Sequence, residues 1–278
     1  MLNFTLLYPG FKSKCVTFSY DDGVVEDIKL IEILNKYHMK GTFNLNYGHS
    51  GDPKFRLDKD GKEIDCSHLV LEDYVSLYEK HEIANHTYNH PHLEDISYDE
   101  QYVEYKRGKE ALEKVFQRKV YGAAYPYGSY NADTIAVQKE QNVEYDRTVR
   151  SSYSFTLPYD WLLWNPTIHH RDPEIWDYIK KFYESTQELA LLYIWGHAYE
   201  FAIDHNFELM DDICKDLSSH EDVCNMTNHE VYEYVHAAAR VYHRFEAFHN
   251  PSDLDVYLKV DGKNILVPAR GEVPYGSK

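Results

Sequence analysis

The hydrophobic pattern alternates between short continuous runs and longer stretches with helical spacing. Lys14 to Tyr20 is an unbroken run of apolar and β-prone residues and predicts a buried strand. From Val24 to His38, Ile28, Ile31, Ile33 and Leu34 recur at helical spacing. Gly41 to Asn46 predicts a short strand, with Phe43 and Leu45 on one side and Thr42, Asn44 and Asn46 on the other. Tyr47 to Ser67 carries Gly, Asp, Pro and Lys and predicts a long surface loop with a hairpin at Asp60-Gly61. Helical patterning returns over Leu69 to Lys80, and Glu82 to Ala84 is a brief strand. Ser97 followed by Glu100 forms a capping box that opens a helix running to about Gln117.

Strands at Val120 to Tyr125 and Val143 to Val149 then flank a helix at Asn131 to Gln141. A looser segment, Arg150 to Arg171, contains Pro158 and Pro166. A helix at Pro173 to Glu188 precedes the strongly apolar strand Leu189 to Trp195, and helical stretches cover Asn206 to Leu217 and Asn228 to Phe245. Such β-then-α repetition implies parallel strands with helices outside, as a barrel or an open doubly wound sheet. After Asn250-Pro251 the pattern becomes alternating around Asp261-Gly262, a hairpin signal. The expected division is therefore a main α/β domain over 1–247 and a small β appendage over 248–278 that covers an edge or end of it.

Composition narrows the function. Of 278 residues, 43% are hydrophobic and 27% charged, which places the chain among globular proteins. A net charge of −17, with no basic stripe, argues against nucleic acid and anionic membranes as partners. The first ten residues, Met1 to Gly10, lack the charged start and apolar run of a leader, and no stretch approaches a membrane span. Cys15, Cys66, Cys214 and Cys224 form no close-spaced pair. A reducing, cytoplasmic setting is expected. The 26 tyrosines offer flat faces with polar tips, suited to sugar rings or to half-buried helix surfaces.

Chemistry gathers where predicted strands end. Asp21-Asp22-Gly23, His86 with His90, Pro126-Tyr127-Gly128 and His197 each follow their own strand, and in parallel α/β folds these ends converge. One carboxylate and two imidazoles hold a divalent metal with positions left open, and the second carboxylate is then free to act as a base. Pro91 biases His90 away from helical dihedrals, so the histidine pair lies on one helical turn at most. His92 reads as a surface residue.

These motifs resemble those of the polysaccharide deacetylases of carbohydrate esterase family 4, the NodB-homology family. Phe18-Ser19-Tyr20-Asp21-Asp22-Gly23 is similar to its Thr-Phe-Asp-Asp-Gly motif, and His86-Thr87-Tyr88-Asn89-His90 to its His-Ser/Thr-x-x-His motif. Pro126-Tyr127-Gly128 retains most of its Arg-x-Pro-Tyr-Gly motif, and Ile194-Trp195-Gly196-His197 resembles its last one. The resemblance implies a distorted (β/α)7-type barrel and metal-dependent removal of acetyl groups from N- or O-acetylated sugars. It also implies Asp22, His86 and His90 as metal ligands, with zinc first and cobalt, nickel or manganese also accepted. Asp21 would be the general base, the Tyr127 backbone N–H an oxyanion donor, and His197 the proton donor to the leaving group.

Two departures stand out. The third-motif arginine is Ala124 here, and Arg147, at the end of the next strand, is the expected replacement. The family's Asp-x-x-Asp-Trp motif has no clean counterpart, which leaves Asp160 and Asp172 as alternatives for orienting His197. Trp164, Trp195, Asn44 and Asn46 are expected to touch substrate, with the 47–67 loop as one wall, while His169 and His170 read either as part of the same mouth or as loop histidines. The partner is an acetylated carbohydrate, and the sequence leaves the oligomeric state open. The competing functions are a same-scaffold hydrolase of a non-sugar amide or ureide, and a catalytically weak carbohydrate-binding protein that keeps its metal.

Overall fold

A computed structural model describes residues 4–275; residues 1–3 and 276–278, at the outer ends of the two expected units, lie outside the described residues. The central feature is a curled parallel sheet. Its strands, numbered here in chain order, are β1 (Lys14–Asp21), β2 (Thr42–Leu45), β3 (Glu82–Asn85), β4 (Ala123–Ala124), β5 (Asp146–Arg147), β6 (Ile168–His169), β7 (Ala190–His197) and β8 (Val223–Asn225). The helices are α1 (Asp27–Lys36), α2 (Tyr98–Phe116), α3 (Ala132–Glu140), α4 (Ile175–Glu184), α5 (Ala198–Ile203), α6 (Phe207–Ser219) and α7 (Asn228–Ala238).

The strand order is β5-β4-β3-β2-β1-β7-β6, with β8 paired to the first half of β1. The segment Trp164–His169 links the two edges. Trp164 bridges to Arg147 of β5, while Ile168 and His169 pair with β7. The result is the distorted barrel expected from the motifs.

All eight residues of β1 are buried, which is why the strand reads as a continuous run rather than an alternating one. Val16, Phe18 and Tyr20 pack in one cluster with Leu30, Ile31 and Leu34 of α1 and Ile213 of α6. Cys15 joins a second cluster with Leu191 and Tyr193 of β7 and Val231 and Tyr234 of α7. Thr17 and Ser19 are buried polar residues with partners: Thr17 Oγ1 donates to Asn228 Oδ1 at 2.8 Å, and Asn44 Nδ2 donates to Ser19 Oγ at 2.8 Å. A hydrogen-bonded polar ladder therefore climbs β1 toward Asp21.

Several expectations need correction. Leu69 to Lys80 is not a helix: it has one 3-10 turn at Leu71–Tyr74. The Leu69 and Leu71 N–H groups donate instead to Gly23 O and Ser50 Oγ, tying the segment to neighbouring loops. The histidine pair lies in irregular backbone, without a helical turn. β4 and β5 have two residues each, far shorter than predicted, and β6 lies inside the segment read as loose. The loop after Tyr47 carries its hairpin, Phe55–Leu57 paired with Glu63–Asp65. The C-terminal hairpin, Val256–Val260 with Lys263–Val267, pairs antiparallel with Phe4–Leu7. Among the described residues no helix is long and apolar enough to cross a membrane.

Candidate active site

Strand register builds the site. Asp21 is opposite His197 on β7 and Asn44 on β2, while Ala124 of β4 is opposite Arg147 of β5. The loops leaving these strand ends turn sharply through left-handed residues: Asp22 (φ 81°), Gly23 (φ 70°), Thr87 (φ 61°), His90 (φ 54°) and Tyr127 (φ 56°). Non-glycine residues in that region cluster where the surrounding structure enforces them, often at functional sites. At Gly23 the close approach also excludes a side chain, because a Cβ there would lie 2.8 Å from Leu45 Cδ2.

Asp22, His86 and His90 converge. His86 Nε2 and His90 Nε2 are 3.1 Å apart, and they lie 3.8 and 3.6 Å from Asp22 Oδ1. Bonds of about 2.05 Å in a tetrahedron put ligand atoms about 3.3 Å apart, so the donor set fits a zinc-sized cation. His86 Nδ1 is 2.7 Å from Ala124 O and can only donate there, which leaves the Nε2 lone pair facing the other donors. Burial, then His86, pushes the His90 imidazole down to about 3, so it is neutral and able to ligate at pH 7. Burial alone would raise Asp22, but His197, His86 and His90 outweigh it and hold the carboxyl well below its ordinary value.

Asp21 is buried beside this cluster. One Arg147 nitrogen reaches Asp21 Oδ1 at 2.6 Å, and Asn44 Nδ2 donates to the same oxygen at 2.8 Å. Burial works to raise Asp21, but Arg147, His86 and His197 outweigh it and lower its pKa, keeping it an ionised acceptor. Arg147, fully buried at 0% exposure, thus brings a guanidinium to Asp21 from the strand after Ala124.

His197 Nε2 lies 3.9 Å from Asp21 Oδ2. Neither expected aspartate orients this histidine. Asp160 accepts from Leu162 N, and Asp172 is bound to Tyr153 OH and Glu174 N. The partner is Glu200, one turn along α5, with Oε2 3.4 Å from His197 Nδ1 and 3.0 Å from the His197 N–H. His169 and His170 do not line the mouth; their Nε2 atoms sit 3.2 and 3.4 Å from the same Glu200 oxygen. Burial lowers the His197 imidazole, but Glu200, Asp21 and Asp22 outweigh it and hold its pKa above the ordinary value. Gly196 is required here: a Cβ would lie 2.1 Å from His170 Nδ1. The missed signal was a glutamate three residues past His197, which reads as an ordinary helix cap.

These groups open onto a cleft of about 600 Å³. Asn46 lines it, with its amide 3.4 Å from Asp22 Oδ1. Trp195 also borders it, although the Arg147 guanidinium lies 4.3 Å from the Trp195 ring. Tyr127 stands at the rim, exposed and stacked on His92 at 3.9 Å. Two expected substrate contacts are corrected. Trp164 is 1% exposed and packs on Tyr145, Trp161 and Tyr193, so no face is free for a sugar. Asn44 is fully buried, and its amide is spent on Ser19 and Asp21. The wall from the long loop brings His49, Asp52, Lys54 and Arg56 into the cleft.

Comparison with known proteins bears on family and fold. The Bacillus subtilis (strain 168) protein YxkH is 27% identical over 125 residues, covering 44% of this chain and 40% of YxkH; the match spans well under half of that relative. A crystal structure from Mycobacterium smegmatis, named for polysaccharide deacetylases, aligns with TM-score 0.59 at 17% identity, over 88% of this chain and 98% of that one. The Xyl-CE4 domain of a multidomain xylanase from the Trinervitermes trinervoides hindgut metagenome aligns with TM-score 0.52 at 16% identity, over 81% and 92%. Both structural likenesses speak to the fold. Residues 9–145, just under half of the chain, match the family model for polysaccharide deacetylases, and the chain is similar to that family.

Proposed function

We propose that this protein is a metal-dependent hydrolase that removes acetyl groups from N- or O-acetylated sugars or oligosaccharides. The observation that carries this reading is the meeting of three metal-type donors with a separate, arginine-held carboxylate and a carboxylate-backed histidine at one cleft. Asp22, His86 and His90 would hold the cation. When bound, a divalent metal supplies Lewis-acid polarisation of the acetyl carbonyl and acidifies water toward neutral pH.

The chain's own residues do the rest. Asp21, ionised under Arg147 and Asn44, takes the proton of the attacking water. The Tyr127 backbone N–H donates to the oxygen on which charge develops. As the C–N or C–O bond breaks, His197 gives its proton to the departing nitrogen or oxygen, leaving acetate and a free amine or alcohol. Glu200 keeps that imidazole turned and charged for the transfer.

Arg147 on Asp21 removes one ground for the weakly catalytic alternative, which rested on the missing third-motif arginine. The test is acetate release from acetylated sugars alongside simple amides and ureides, with elemental analysis of the purified chain. Release confined to sugars, lost in both Asp22→Ala and Asp21→Asn but with metal lost only in Asp22→Ala, is the expected result. Turnover of the amides or ureides alone would reassign the substrate. Full activity in Asp21→Asn would end this assignment of the base.

A further inference from the structure

Two cations in the cleft meet no carboxylate among the described residues. Lys54 and Arg56 belong to the wall formed by the long loop, Arg56 on the hairpin strand Phe55–Leu57. Among the described residues neither side chain lies in an ion pair within 4.0 Å or in a hydrogen bond to protein, and Arg56 Nε is buried without an acceptor. Asp52, the other acid of the cleft besides Asp21 and Asp22, is engaged by His49 at 2.9 Å. Glu26 feels the Arg56 charge but does not pair with it, and burial raises its pKa.

Their placement is specific. The Arg56 guanidinium lies 4.1 Å from the Tyr199 ring centre, and the Tyr199 ring is 5.0 Å from the His197 imidazole. Lys54 acts electrostatically on both Asp22 and His90. Arg56 therefore borders the His197 side of the site through Tyr199, and Lys54 lines the same cleft. A guanidinium and an ammonium without counter-charges at a cleft mouth are suited to a carboxylate or phosphate.

We propose, resting on the deacetylase reading above, that the sugar losing its acetyl group carries an anionic substituent, a carboxylate or a phosphate, which Lys54 and Arg56 bind. Neutral acetylated sugars are then poor ligands, and the preference for the anion weakens as salt rises.

The test is titration calorimetry of the zinc-loaded protein with three probes: N-acetylglucosamine, N-acetylmuramic acid and N-acetylglucosamine 6-phosphate, with kcat/KM for acetate release measured in parallel. One anionic probe should bind at least about tenfold more tightly than the neutral one, as expected for a charge-assisted contact. Which anion wins distinguishes carboxylate from phosphate. The preference should shrink to about twofold or less in Lys54→Gln/Arg56→Gln and return with Lys54→Arg in an otherwise native chain. Equal or undetectable binding of all three probes, or a preference that survives the double variant, overturns the proposal. An anion preference in binding with no acetate released from any probe would sink the deacetylase reading and leave this inference standing.

Discussion

Arg147 and Asp21 are 126 residues apart in sequence, yet one guanidinium nitrogen of Arg147 contacts both carboxylate oxygens of Asp21, at 2.6 and 2.5 Å. The guanidinium comes from β5, one strand beyond the place where the family's third motif would put it. The contact is therefore set by where the head group ends, whichever strand supplies it.

Arg147→Ala removes the cation that keeps Asp21 ionised. The carboxyl pKa should rise, so the acidic limb of the rate profile should move to higher pH. We expect kcat to fall by about 10²-fold or more, within the range for general-base catalysis. Leaving one member of a buried pair alone should also cost about 3–5 kcal/mol of stability. Metal content, measured by elemental analysis, should be unchanged. Undiminished turnover would refute the role.

Glu200→Gln tests the orientation of His197. Glu200 raises the imidazole pKa, so its neutralisation should lower that pKa and move the alkaline limb of kcat/KM to lower pH. Asp172→Asn, at a residue bound to Tyr153 and Glu174, should leave the profile in place. A shift with Asp172→Asn instead would restore the aspartate alternative.

His90→Ala removes one of three donors while leaving Asp21 and Arg147 untouched. Metal per chain should drop well below that of the native protein at equal free zinc. The rise in Tm that added zinc gives the native chain should largely vanish, because a ligand stabilises only in proportion to its affinity for the folded state. An unaltered zinc-dependent Tm would mean that the donors were misassigned.

His81 predicts an acid-sensitive step away from the site. Its buried ring accepts the Gly41 N–H at Nδ1, 3.1 Å away, and burial followed by Arg118 pushes its pKa down to about 4. A histidine depressed on folding contributes its full stability above about pH 6.5, and that stability is lost as pH falls from there through about 4. The contribution is of order 3 kcal/mol. Urea unfolding of native and His81→Gln protein at pH 7.5 and 4.5 should show the native chain losing more, and equal losses would disprove it.

The barrel was legible where strands were long and buried on both faces, as in Lys14–Asp21 and Ala190–His197. It was illegible where a strand is two residues held by register, as in Ile168–His169. Leu69 and Leu71 are buried, as apolar helix positions would be, but their backbone N–H groups bond to other loops, which spacing does not record. The proposed donors Asp22, His86 and His90 stand out in the sequence because holding a cation needs particular side-chain chemistry, and the fold brings them together. Trp164 and Asn44 were misjudged because exposure depends on partners far away in sequence. Glu200 was hidden because a cap and a charge partner look alike along a chain.

The pairing of Phe4–Leu7 with Val256–Val260 has a consequence for how the molecule is made. An early-synthesised strand cannot find its neighbour until some 250 residues more have left the ribosome. Until then its edge stays open to other chains, and the buried cluster that α7 and the hairpin form with Leu191 and Tyr193 stays incomplete. Expression yield should therefore be governed by the last β-ribbon, however well the strands of the parallel sheet have already formed.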